Sequence, residues 1–185
     1  MIDYHNILTI FHLLGVVVGM GGALMSDFMF FSSIHDENIS HTEMRFLKLG
    51  SLAVWLGLIL IVTSGLLLFG ENPDRYLNSP KFLAKMTIVA VLIVNGIIFH
   101  FIHIPRLRRH AGTHFPSSDE FMRKAPLLLI SGAVSMISWF SAFILGVLRK
   151  PPYTYFEIMA VYLFILAFGI ITVFLFKKKI IPHFK

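Results

Sequence analysis

Five ionisable side chains stand inside stretches otherwise built for lipid, and their types and spacing set the chemistry the chain has available. His12 and Asp27 lie in "FHLLGVVVGMGGALMSDFMFF"; Lys85, His100 and His103 lie in "KFLAKMTIVAVLIVNGIIFHFIHIPRLRR". An imidazole can ligate a haem iron or another metal, or handle a proton. A carboxylate can hold a hard metal ion or a proton, and a lysine offers a nitrogen ligand or a fixed positive charge. Such groups are expensive within a membrane and are functional candidates by default. Cysteine is absent from all 185 residues, so any cofactor must use His, Met, Lys or oxygen ligands. The methionines form no Met-x-x-Met series, so a dedicated copper(I) relay is not indicated.

The elements that position these groups follow from composition. The chain is 56% hydrophobic and only 14% charged, against about 25% charged in ordinary soluble domains. Five apolar runs, at 7–33, 46–69, 82–104, 125–148 and 156–176, reach the roughly 20 helical residues a bilayer core requires. The expected fold is therefore all-α, a five-helix transmembrane bundle forming a single domain over 1–185. The first run is too long for a signal-peptide core and lacks a basic start, so it is expected to remain as a helix. Helix starts are marked by the capping-box patterns Ser40-x-x-Glu43, Ser117-x-x-Glu120 and Thr154-x-x-Glu157, and by Ser79 before Pro80.

The formal net charge of +6 does not point to nucleic acid, because the basic residues flank the apolar runs. Arg45, Lys48, Arg106, Arg108, Arg109, Arg123, Lys124, Lys177, Lys178, Lys179 and Lys185 fall on one side. Arg75, Lys81, Lys85, Arg149 and Lys150 fall on the other. The positive-inside rule then places the N-terminus outside and the C-terminus in the cytoplasm.

At about 100° per residue, His12, Gly15, Gly19, Ala23 and Asp27 share about a third of the first helix's circumference. Small residues at this spacing admit a neighbouring helix, so the face is expected to look into the bundle. Fifteen residues, roughly 22 Å of helix, separate His12 from Asp27. The third run travels in the same direction. Its Lys85 falls near the depth of His12, and His100 and His103 near that of Asp27. Two clusters are expected: His12 with Lys85, and Asp27 with His100 and His103 as a candidate metal set. Asn95 stands near mid-depth, and the fourth run adds Ser131, Ser135, Ser138 and Ser141. Plain structural roles stand beside these: a helix-joining ion pair for Asp27, interfacial side chains for His100 and His103, and packing for the serines.

His12 with Gly21-Gly22, and the lysine-led "KFLAKMTIVAVLIVNG", resemble two helices of a loose group of small bacterial membrane proteins. The group includes the copper-resistance D type, uncharacterised integral membrane proteins and the HemJ-type protoporphyrinogen oxidases. The resemblance implies a multi-pass protein of the bacterial cytoplasmic membrane with haem b or a metal ion at His12, Lys85 supplying a nearby nitrogen. Departures are clear. Asn95-Gly96 stands where the HemJ type carries a histidine, and Ser26-Asp27-Phe28 where it carries an arginine, which argues against protoporphyrinogen oxidase activity. A haem also needs room for its macrocycle, which Gly15, Gly19 and Gly22 would supply beside His12.

Three readings stay open at this point: a haem- or metal-binding redox protein, a small transporter or proton- or ion-conducting bundle, and a non-catalytic accessory or scaffold subunit. The expected partners are the lipid bilayer, together with a membrane redox partner or a second copy of the chain.

Overall fold

The computed structural model describes residues 3–35, 38–112, 119–149 and 152–180. The elements are α1 (Tyr4–His35), α2 (His41–Glu71), the short α3 (Pro73–Leu77), α4 (Pro80–Ile98), a π-helical turn (Phe99–His103), α5 (Ile104–Arg109), α6 (Asp119–Val147) and α7 (Tyr155–Ile180). No strand forms among the described residues. Among the described residues five segments are long and apolar enough to cross a membrane: Tyr4–Ser33, His41–Glu71, Pro80–Arg109, Arg123–Val147 and Tyr155–Leu175. The protein is a multi-pass membrane protein of five such helices, running alternately up and down.

The helix starts follow the local chemistry. Ser40 Oγ accepts from the Glu43 N–H at 3.1 Å while Glu43 accepts from the Ser40 N–H at 2.8 Å, a complete capping box that begins α2 five residues before its apolar run. Thr154 and Glu157 make the same reciprocal pair ahead of α7, and Ser79 caps α4 with Pro80 in its first turn. The Ser117 pattern lies outside the described residues. Two elements depart from the sequence expectation. Asn72 accepts from the Arg75 N–H and, with Pro73 behind it, starts the extra short helix α3. The third membrane segment continues past Ile104 to Arg109 although Pro105 has no N–H to give. The π-helical turn accommodates it: the Ile104 N–H reaches back to the Phe99 carbonyl, so one extra residue is wound in just before the proline.

α1 and α2 pack along their whole length in an antiparallel seam with a seven-residue period. His5 faces Glu71, His12 faces Ser64, Gly19 faces Gly57, Ser26 faces Gly50, and Ser33 stands against Glu43. Each step is two helical turns, the repeat of a left-handed coiled pair. Small residues let the backbones approach at the centre: a Cβ on Gly15 would lie 3.0 Å from the Gly57 carbonyl oxygen, and one on Gly22 would lie 2.8 Å from that of Gly50. A hydrogen bond across the two helices, between His5 Nδ1 and Glu71 Oε2 at 2.6 Å, closes the open end of the seam.

The remaining helices wrap this hairpin around three apolar layers. Ala84, Ile88, Ala142, Leu145 and Tyr162 pack where α4, α6 and α7 meet, near the α3 end. Ala23, Leu58, Ile61, Leu92 and Trp139 fill the middle. Phe30, Ile39, Leu47, Ile104, Leu107 and Leu129 close the end where α1 turns into α2. There Gly112, at φ 81°, donates its N–H to the Ile39 carbonyl at 2.7 Å, a left-handed turn that suits glycine. α7 is tied on by Ser138 with Tyr162 (2.8 Å) and Thr87 with Tyr155 (3.2 Å), and turns Phe156, Phe164 and Leu175 outward.

Candidate functional site

The seam and the middle layer divide the polar side chains of the bundle into two groups. In the first, the expected meeting of His12 and Lys85 is realised. Lys85 Nζ lies 3.4 Å from His12 Nε2, and His12 Nδ1 lies 3.1 Å from Ser64 Oγ, which itself donates to the Leu60 carbonyl. A lysine only donates, so it assigns Nε2 as acceptor and puts the imidazole hydrogen on Nδ1. The donors then run in one direction: Lys85 to His12, His12 to Ser64, Ser64 to the backbone. Among the described residues no carboxylate lies within 4.0 Å of Lys85. Ser64 was not singled out by the sequence reading. Its signal was there in the seven-residue spacing Gly50, Gly57, Ser64, Glu71.

The second group surrounds Asp27, and here the expected cluster is rearranged. Asp27 does not meet His100 or His103. His100 turns to α2, where its Nδ1 lies 2.9 Å from Ser51 Oγ and its ring meets the edge of Trp55. His103 is buried beside the Arg106 guanidinium, 3.4 Å from its Nδ1, and edge-on to Phe99. The physical reason is adjacency: α1 lies along α2 and touches α6, whereas α4 meets α2 and α6. Equal depth did not make α1 and α4 neighbours at this level. Among the described residues no group of three or more His, Cys, Asp and Glu side chains is gathered to hold a metal ion.

Asp27 instead faces α6. Its Oδ1 would lie 3.3 Å from a Cβ on Gly132, so the glycine is what admits the carboxylate against that helix. Asp27 is 8% exposed and Ser26 4%. Asp27 Oδ2 and Ser26 Oγ are both buried without a hydrogen-bond partner. Both residues line a partly open cavity of about 30 Å³ between α1, α2, α4 and α6; most of its surface is apolar, from residues such as Leu92, Phe99 and Trp139, and its other polar walls are Ser51, Asn95, Ser131 and Ser135. Two of those walls are held rigidly. Asn95 donates to the Ser131 carbonyl at 3.1 Å and accepts from Ser131 Oγ at 2.9 Å, a double clasp between α4 and α6. Of the fourth-run serines, Ser138 serves packing through Tyr162, whereas Ser131 and Ser135 belong to the cavity.

The residues around His12 do not fit a haem. Both imidazole nitrogens are engaged. The glycines that would make room for a macrocycle are filled by protein: Gly15 by Leu60 and Ile61, Gly19 by the Trp139 ring, and Gly22 by Ala53 and Val54. The small residues serve close helix packing, and the haem-bed role expected of them is not met. No protein-family model, no curated protein and no solved structure matches the chain, so the reading of its site rests on this geometry.

Proposed function

We propose that the protein is a small transporter or conducting bundle that takes a proton or small ion into a site at Asp27. The N-terminus lies outside and the basic C-terminal tail in the cytoplasm of a bacterial inner membrane. One observation carries the reading: a carboxylate oxygen buried in the membrane-spanning bundle, without a partner, beside a largely apolar cavity into which a few hydroxyls and one carboxamide are set. A carboxylate kept to join helices would be paired, since a buried charge without a partner is costly. The neighbours of Asp27 are of the kind that line polar routes: hydroxyls and one carboxamide, fixed by the Asn95–Ser131 clasp. The redox reading has weaker support, because the glycines beside His12 are packed against α2 and Trp139. The orientation is supported by the charge asymmetry between the two sides.

Reconstitution into liposomes tests this. With an imposed pH or salt gradient and an interior dye, the wild type should dissipate the gradient, and Asp27→Asn should slow it by about tenfold or more, as expected when a group that contacts the moving species is lost. A wild-type protein that leaves both gradients standing, or an Asp27→Asn variant with undiminished flux, overturns the proposal.

A further inference from the structure

We infer that Asp27 and Ser26 together bind a small, hard, monovalent cation of the sodium class. The inference rests on the reading of Asp27 as the site and names what it takes. The chemistry of the donors comes first. The oxygen-bearing side chains around the cavity are one carboxylate, four serine hydroxyls, of which Ser51 and Ser131 are engaged with His100 and Asn95, and one carboxamide that turns its oxygen to Ser131. Oxygen donors of this kind suit hard cations, whereas soft or borderline metals favour thiolate and imidazole. His100, the nearest imidazole by depth, has its Nδ1 committed to Ser51.

Charge and size narrow the class. Asp27 is the one acidic side chain on the cavity wall, and a single carboxylate balances a single positive charge. Divalent calcium takes six to eight oxygens, usually with several carboxylates among them. The cavity of about 30 Å³ has room for an ion with about one or two waters, since one water needs roughly 10–15 Å³ of such space. An organic solute does not fit.

The pair of unsatisfied atoms separates a metal cation from a bare proton. Protonating Asp27 removes its charge but adds an O–H that needs an acceptor of its own, and it brings Ser26 no new ligand. A cation with several oxygen ligands uses both Asp27 Oδ2 and Ser26 Oγ, which among the described residues are the two buried side-chain oxygens that lack a hydrogen bond. They are adjacent in sequence on α1, and the Ser135 hydroxyl stands on the opposite wall on α6. Gly50 makes this possible on the α2 side, because any Cβ there would collide with Ser26 Oγ.

The molecule carries its own reporter. Its two tryptophans, Trp55 and Trp139, both line this cavity. The experiment is a titration of the detergent-purified full chain with sodium chloride at fixed pH, holding ionic strength constant with choline chloride and following tryptophan emission. A saturable change with sodium and none with choline is expected. Ser26→Ala should raise the midpoint by about tenfold, the equivalent of about 1.4 kcal/mol, and Asp27→Asn should abolish the response. The inference is overturned if sodium and choline curves superimpose, if the emission answers only to pH, if calcium saturates at lower concentration than sodium, or if either variant keeps the wild-type midpoint. Should Asp27→Asn fail to fold, Ser26→Ala and the wild-type cation series decide alone, since that serine's oxygen has no bond to lose. Saturable sodium binding without flux in liposomes sinks the transport reading and leaves this one standing; proton flux without sodium binding does the reverse.

Discussion

Asn95 and Ser131 grip each other twice, through an amide N–H given to the serine carbonyl and a hydroxyl given to the amide oxygen, at 3.1 and 2.9 Å. The clasp fixes α4 against α6 on the wall of the Asp27 cavity. Asn95→Ala removes both bonds and leaves the Ser131 hydroxyl without its acceptor, at a cost of about 1–3 kcal/mol. The expected result is a lower melting temperature. A double-mutant cycle with Ser131→Ala should give a coupling energy well above zero, and simple additivity of the two changes would rule the clasp out as a stabilising contact.

The glycines divide by sign. A Cβ on Gly57 would run into the Gly19 backbone, which cannot give way as a side chain can. Gly57→Ala should therefore part α1 from α2 and destabilise by about 1–3 kcal/mol or more. Gly21 and Gly70 have nothing within 4 Å of a Cβ. Alanine at either should be neutral or stabilising by about 0.5–1 kcal/mol through helix propensity. Melting curves of the three variants side by side check this, and equal effects at Gly57 and Gly21 would contradict the seam.

His12 and Lys85 form a chain whose members depend on one another. His12→Leu leaves an ammonium and the Ser64 hydroxyl without their ring partner, and is expected to destabilise by about 1–3 kcal/mol. Replacing Lys85 by methionine as well removes the stranded charge and should recover most of the loss. A double variant less stable than His12→Leu alone would show that Lys85 is held by something other than this imidazole.

Much of the frame was legible in the sequence, because the signals for it are local. Run length fixed the five spans, and Ser40, Ser79 and Thr154 marked the starts of α2, α4 and α7 through caps that need only three residues of context. The contact of His12 with Lys85 was within reach of a depth argument. The site at Asp27 was only half legible. Depth along a helix does not say which helices touch, and His100 and His103 were assigned to Asp27 when the neighbour of Asp27 is α6. The π-helical turn also winds an extra residue into the segment carrying both histidines, which a uniform 3.6-residue period does not anticipate. The signal for α1 pairing with α2 is a seven-residue recurrence on both helices, His12, Gly19 and Ser26 on one and Gly50, Gly57 and Ser64 on the other, which a single helix's small-residue face does not reveal.

Topology has a direct check. A reporter fused after the "KKKIIPHFK" tail should be active if it works only in the cytoplasm and silent if it works only outside, in keeping with the eleven basic residues on that side against five on the other. The opposite pattern would invert the bundle and place Asp27 nearer the outer face.

The seam between α1 and α2 has a mechanical consequence. Backbones in contact at Gly19 and Gly57, with side-chain layers every two turns on either side, interlock like a zip; sliding by less than a whole turn drives small residues into large ones. The two helices accordingly travel as one lever. Ser26, Asp27 and Ser51 ride on that lever, while Asn95, Ser131 and Ser135 ride on the opposing α4–α6 pair joined by its own clasp. Spin labels placed on α1 and α2 should hold one separation with or without sodium, and labels spanning α1 and α6 are where a change belongs. The chamber at Asp27 is the gap between two rigid jaws, so its volume is set by the angle at which they close and not by the bending of any single helix.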